Sequence, residues 1–121
     1  MQYPAGAPSF KVLVETRRRM GGPSGLLVVY SQTLVLYPSP SCQRLNKLPA
    51  ELRQTTPHVS WVRQPFFPPW LNRAIDFRVD NSAEVIRLRF TGRARRTLRA
   101  ALTGAGFDVT DVTTKSILFG P

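Results

Sequence analysis

Apolar positions recur along this chain with two different periods. Residues 10–16, "FKVLVET", alternate large and polar side chains, the pattern of a strand with one buried face. Residues 26–30 ("LLVVY") and 34–37 ("LVLY") are apolar on both faces, as central strands of a closed or covered sheet are, and Ser31, Gln32 and Thr33 connect them. Residues 59–63 form a further candidate strand. The clearest signal follows: Ile75, Phe77 and Val79 alternate with Asp76 and Arg78, Asp80 to Ser82 turn the chain, and Ile86, Leu88 and Phe90 alternate with Arg87 and Arg89. These segments predict a two-stranded antiparallel ribbon with one oily face and one arginine-bearing face.

From Arg93 the period changes. Ala94, Leu98, Ala101, Leu102 and Ala105 share one side of a helix, with Thr91 in the N-cap position and Gly104 or Gly106 placed to end it. Between the hairpin and the ribbon the pattern is weaker. "PSPSC" at 38–42 reads as a turn, and 48–53 reads as a short helix with Pro49 in its first turn. After the helix, 107–112 and 116–119 read as edge strands. The expected fold class is therefore α+β: a small antiparallel sheet or partly open barrel with one main C-terminal helix, the alternative being a ferredoxin-like split sandwich. At 121 residues the whole span, 1–121, reads as a single binding domain.

Charge adds the kind of partner. Seventeen basic against seven acidic residues give +10, which directs the chain toward an anionic partner: nucleic acid, an anionic membrane surface or an acidic protein face. Fourteen of the seventeen are arginine, whose planar fork suits phosphate and carboxylate better than a lysine ammonium does. Cys42 is the sole cysteine, so no internal disulfide forms, and an intracellular setting, cytoplasmic or nuclear, is expected. The opening residues show no secretory pattern. The uncharged stretch 20–43 is divided by glycines and prolines into two short apolar runs, so it reads as a buried hairpin and not as a membrane span.

Catalytic chemistry is thinly supplied. One His and one Cys cannot furnish a structural zinc centre, and "MGGPSG" lacks the Gly-Lys-Ser/Thr ending of a phosphate loop. His58 would act as a base only with Ser60 and an orienting carboxylate gathered round it. Asp76, Asp80 and Glu84 belong to the ribbon and its turn, where pairing with Arg78, Arg87 or Arg89 is the simpler fate. The chain reads as a non-enzyme without metal, cofactor or small-molecule substrate.

Binding groups are plentiful. Arg17, Arg18 and Arg19 follow the first strand, Arg87 and Arg89 share a strand face, and Arg95, Arg96 and Arg99 lie on the helix opposite its apolar stripe. Together these eight are the expected anion-binding residues. If the stripe packs on the ribbon, the helix arginines point away from the sheet. "QPFFPPW" at 64–70 holds three rings in a connection stiffened by Pro65, Pro68 and Pro69. Phe66, Phe67 and Trp70 either cover one end of the core or stand out as a preordered partner anchor, with Phe66 and Phe67 the pair expected at the surface.

"GLLVVYSQTLVLYP" at 25–38 and "EVIRLRFTGRARRTLRAAL" at 84–102 resemble a pleckstrin-homology-like barrel, in which a C-terminal helix caps an open end. The second segment is also similar to the strand-turn-helix of the pleckstrin-homology-like domain in meiotic double-strand-break accessory proteins. The resemblance implies a protein-binding adaptor acting on chromosomes. The expected function is a non-catalytic, basic, protein-binding adaptor in a nucleic-acid-associated assembly. A peripheral module binding anionic lipid head groups and a direct nucleic-acid binder are the alternatives.

Overall fold

The structure is a computed structural model that describes residues 8–15, 24–65 and 67–113. The Arg17, Arg18, Arg19 triplet, most of the glycine-rich turn, Phe66 and the expected strand over 116–119 lie outside the described residues. The chain is α+β, with two four-stranded sheets. In the first, β1 (Phe10–Val14), β2 (Gly25–Tyr30), β3 (Thr33–Pro38) and β4 (Leu52–Gln54) follow one another as an antiparallel meander. The second has the order β7-β6-β5-β8, from β5 (His58–Arg63), β6 (Arg73–Arg78), β7 (Val85–Arg89) and β8 (Asp108–Thr113). A ferredoxin-like sandwich has one sheet, so two sheets rule that alternative out.

Alternation sets the core. Val12, Val14, Leu27, Val29, Leu34, Leu36 and Leu52 of the first sheet pack in one buried cluster with Val59, Trp61, Ile75, Phe77 and Leu88 of the second and with Phe90, just past the end of β7. Helix α2 (Arg95–Gly104) adds Leu98 and Leu102 to that cluster. It ends as its sequence predicts: Gly106, at φ 94°, lets the N–H of Phe107 reach Leu102 O at 3.0 Å and its own N–H reach Thr103 O at 3.1 Å. The N–H of Gln32 then donates to Ala105 O, tying the helix end to the β2–β3 turn.

Both corners between the sheets are pinned. Glu15 and Arg89 exchange backbone hydrogen bonds of 2.8 and 2.9 Å, joining the end of β1 to β7. At the other corner Gln54 is fully buried. It donates to Thr56 O and His58 O and accepts from the Arg78 N–H at 2.7 Å.

Local reading failed in three places. The expected turn at 38–42 starts helix α1 (Pro40–Asn46): Ser39 is extended, its Oγ accepts from the Cys42 N–H at 3.2 Å, and Pro40 needs no N–H in the first turn. Helix α1 stops at Lys47, in the left-handed region. The helix expected over 48–53 does not form, because Leu52 and Gln54 are buried in register with Leu36 and Leu34, and that pairing outweighs local propensity. Thr91 caps a 3-10 turn, Gly92–Ala94, without a side-chain bond, and the α-helix begins only at Arg95.

Candidate anion-binding site

The register of the second sheet gathers arginines at one end of the core. Arg63, the last residue of β5, lies opposite Arg73, the first of β6. By strand alternation Arg63 shares a face with Trp61, and Arg73 shares one with Ile75, both of which face the core. Strand β8 returns parallel to β5 and sets Asp111 beside Trp61. Arg95 opens α2, and Arg99 lies one turn further on the same side.

Arg99 turns back to the sheet, contrary to the expectation that the helix arginines point away. Its position flanks Leu98 and Leu102 closely enough for its long side chain to fold over the core edge. It grips Asp111 with both arms, Nη1 to Oδ1 at 2.8 Å and Nη2 to Oδ2 at 3.0 Å, and its guanidinium carbon lies 5.3 Å from the Trp61 ring centre. Trp61 in turn leans on Phe90, with centroids 5.1 Å apart. The fork is thus positioned by a buried ring below it and a carboxylate at its tips.

The electrostatics show the crowding. Burial and then the charges of Arg63 and Arg95 hold Arg73 below the usual guanidinium range, with Asp111 pulling the other way. The hydrogen bonds to Asp111 raise Arg99. The same bonds, with the charges of Arg99 and Arg73, hold the Asp111 carboxyl below the ordinary aspartate range. Arg99 and Arg73 therefore both act on the Asp111 carboxylate, while Arg63 and Arg95 act on Arg73.

Trp70 precedes Arg73 by three residues in the chain. It lies on the 3-10 turn Pro69–Leu71, 63% exposed, with its backbone against Gly92. The next residue but one, Arg73 counted from Leu71, is steadied by Asn72, whose Oδ1 accepts from Arg73 Nη1 at 2.9 Å. Of the two described rings of the aromatic group, Trp70 is the one held out. Phe67 is half-buried over Arg89, and Phe66 lies outside the described residues.

The expected arginines divide between two situations. Arg95 and Arg99 join the cluster, while Arg96 is exposed on the solvent side of the helix. Arg87 is held by Asp76 directly across the ribbon, Nε to Oδ1 at 2.9 Å and Nη2 to Oδ2 at 3.2 Å, as the alternation suggested. Arg89 is buried: Nε donates to Gln64 Oε1 at 3.3 Å, and Nη1 lies 3.7 Å from Glu15 Oε1. Sequence reading missed Arg63, Arg73 and Asp111. Arg63 ends β5, Arg73 begins β6 and Asp111 lies within β8, but their meeting depends on register across β6, β5 and β8.

His58 Nε2 meets Thr110 Oγ1 at 3.0 Å, while Asp76, across from Ser60, is engaged by Arg87. Among the described residues no group of three His, Cys, Asp or Glu side chains is arranged to hold a metal, and no helix is long and apolar enough to cross a membrane. Comparison of the chain with protein-family models, with curated proteins and with solved structures finds no match.

Proposed function

We propose that this chain is an intracellular, non-catalytic binding module of pleckstrin-homology-like type, an adaptor that docks an acidic segment of a protein partner in a nucleic-acid-associated assembly. Two successive antiparallel meanders followed by a helix that covers the core support the fold reading. The observation that carries the function is the Arg99 fork closed on the carboxylate of Asp111, on which Arg73 also acts. The cluster already accommodates the functional group of an acidic side chain. Trp70, exposed on the turn that leads into Arg73, offers the apolar contact that a purely electrostatic site lacks.

A nucleic-acid strand favours a continuous cationic track, whereas Arg87 and Arg89 are engaged by side chains of the chain itself. The test compares a dye-labelled oligoglutamate peptide, a short DNA duplex and anionic vesicles at low and near-physiological salt. Peptide binding that survives the higher salt, and that the Arg63→Gln/Arg73→Gln double variant weakens by about tenfold or more, is the expected result. Retention of DNA or vesicles alone at that salt would overturn the adaptor reading.

A further inference from the structure

We infer that Asp111 is a built-in stand-in for the partner's carboxylate: it occupies the Arg99 fork in the unbound chain, and an acidic peptide binds by displacing it. This rests on the acidic-partner reading above and specifies how that site is filled. The first support is geometric. Arg99 and Asp111 make the two-armed pairing by which a guanidinium recognises any carboxylate, so the fork accepts a peptide Asp or Glu in the same way.

The second support is the contrast between the two partners. Trp61 beneath the guanidinium is 5% exposed and fixed in the core, so Arg99 keeps a packed platform when the acid leaves. Asp111, by contrast, has a 73% exposed side chain on β8, the edge strand of its sheet. An exposed ion pair is worth little, so exchanging Asp111 for another carboxylate costs little. The displaced side chain moves into water it already touches.

The third support is the charge beside the fork. Arg73 lies within electrostatic reach of Arg63 and Arg95, and among the described residues the acid that acts on Arg73 is Asp111, already bound to Arg99. A ligand bearing two neighbouring carboxylates replaces Asp111 at Arg99 with one and relieves the repulsion around Arg73 with the other. The ligand class is accordingly a short peptide segment with paired Asp or Glu residues.

The experiment titrates the dye-labelled oligoglutamate peptide into the full chain and into its Asp111→Asn, Asp108→Asn and Arg73→Gln variants, with the DNA duplex as a parallel arm. Asp108 is exposed at the start of β8, so Asp108→Asn makes the same change of net charge away from the fork. Asp111→Asn is expected to tighten peptide binding by about threefold to tenfold, Asp108→Asn to leave it nearly unchanged, and Arg73→Gln to weaken it. Equal tightening by both Asn variants reduces the effect to net charge and overturns the inference. No tightening by Asp111→Asn, with wild-type binding that still depends on Arg73, overturns the inference and leaves the adaptor reading standing. A gain for the duplex instead of the peptide overturns the acidic-peptide assignment, and no peptide binding by any form overturns both.

Discussion

Arg89 carries its guanidinium 4.6 Å above the ring centre of Phe67. That contact links the corner where β1 meets β7 to the proline-rich connection, because the same side chain reaches Gln64 and Glu15. With Phe67 held there, the connection runs on into the turn that keeps Trp70 at the surface. An arginine expected to face a partner instead organises the loop beside the arginine cluster.

Arg89→Met keeps the length of the side chain but removes every donor. Gln64, 2% exposed, and the half-buried Glu15 then lose their cation, and the variant is expected to be less stable by about 3 kcal/mol. Urea unfolding followed by far-ultraviolet circular dichroism measures the shift. A change below about 0.5 kcal/mol would show that the corner is held by its backbone bonds alone.

The two glycines at the end of α2 should respond in opposite directions. Gly104 is helical, with nothing within 4 Å of an added Cβ, so Gly104→Ala is expected to stabilise by about 0.5–1 kcal/mol. At Gly106 the φ of +94° is strained for any side chain, and an added Cβ would lie 3.3 Å from Gln32 Cγ. Gly106→Ala is expected to destabilise by more than about 1 kcal/mol. Thermal unfolding of the pair, run side by side, distinguishes them.

Fluorescence separates the two tryptophans. Trp61 is 5% exposed and Trp70 is 63% exposed, so acrylamide should quench the wild-type emission in two fractions. Trp70→Phe is expected to remove the quenchable fraction and leave stability within about 0.5 kcal/mol of wild type. Single-fraction quenching of the wild type would contradict the surface position of Trp70.

Acid should open the Arg99 fork. The carboxyl of Asp111 is held below its ordinary range, chiefly by the hydrogen bonds from Arg99. A carboxylate with a depressed value in the folded state contributes stability above the unfolded value and loses it as the pH falls through the folded one. Carbon-detected NMR titration of the Asp111 carboxyl should show this depression in wild type and its return toward the ordinary aspartate range in Arg99→Gln. An unchanged titration in that variant would mean that Arg99 does not hold the carboxylate in solution.

The sequence by itself determined the elements whose signals are local. The alternation around Phe77 and Leu88 specified the ribbon and placed Asp76 within reach of Arg87. The 3.6-residue spacing of Leu98 and Leu102, with Gly106 behind them, specified the helix and its end. Where packing across the sheet competed with local preference, as at Leu52, the local reading failed. The tertiary structure alone decided the arginine cluster. Arg63 and Arg73 meet through the β5–β6 register, and Asp111 arrives only because the chain passes through β6, β7 and α2 before β8 returns parallel to β5. Periodicity states which face of a strand a residue occupies, but not which strand lies next to it, and this site is built from neighbours.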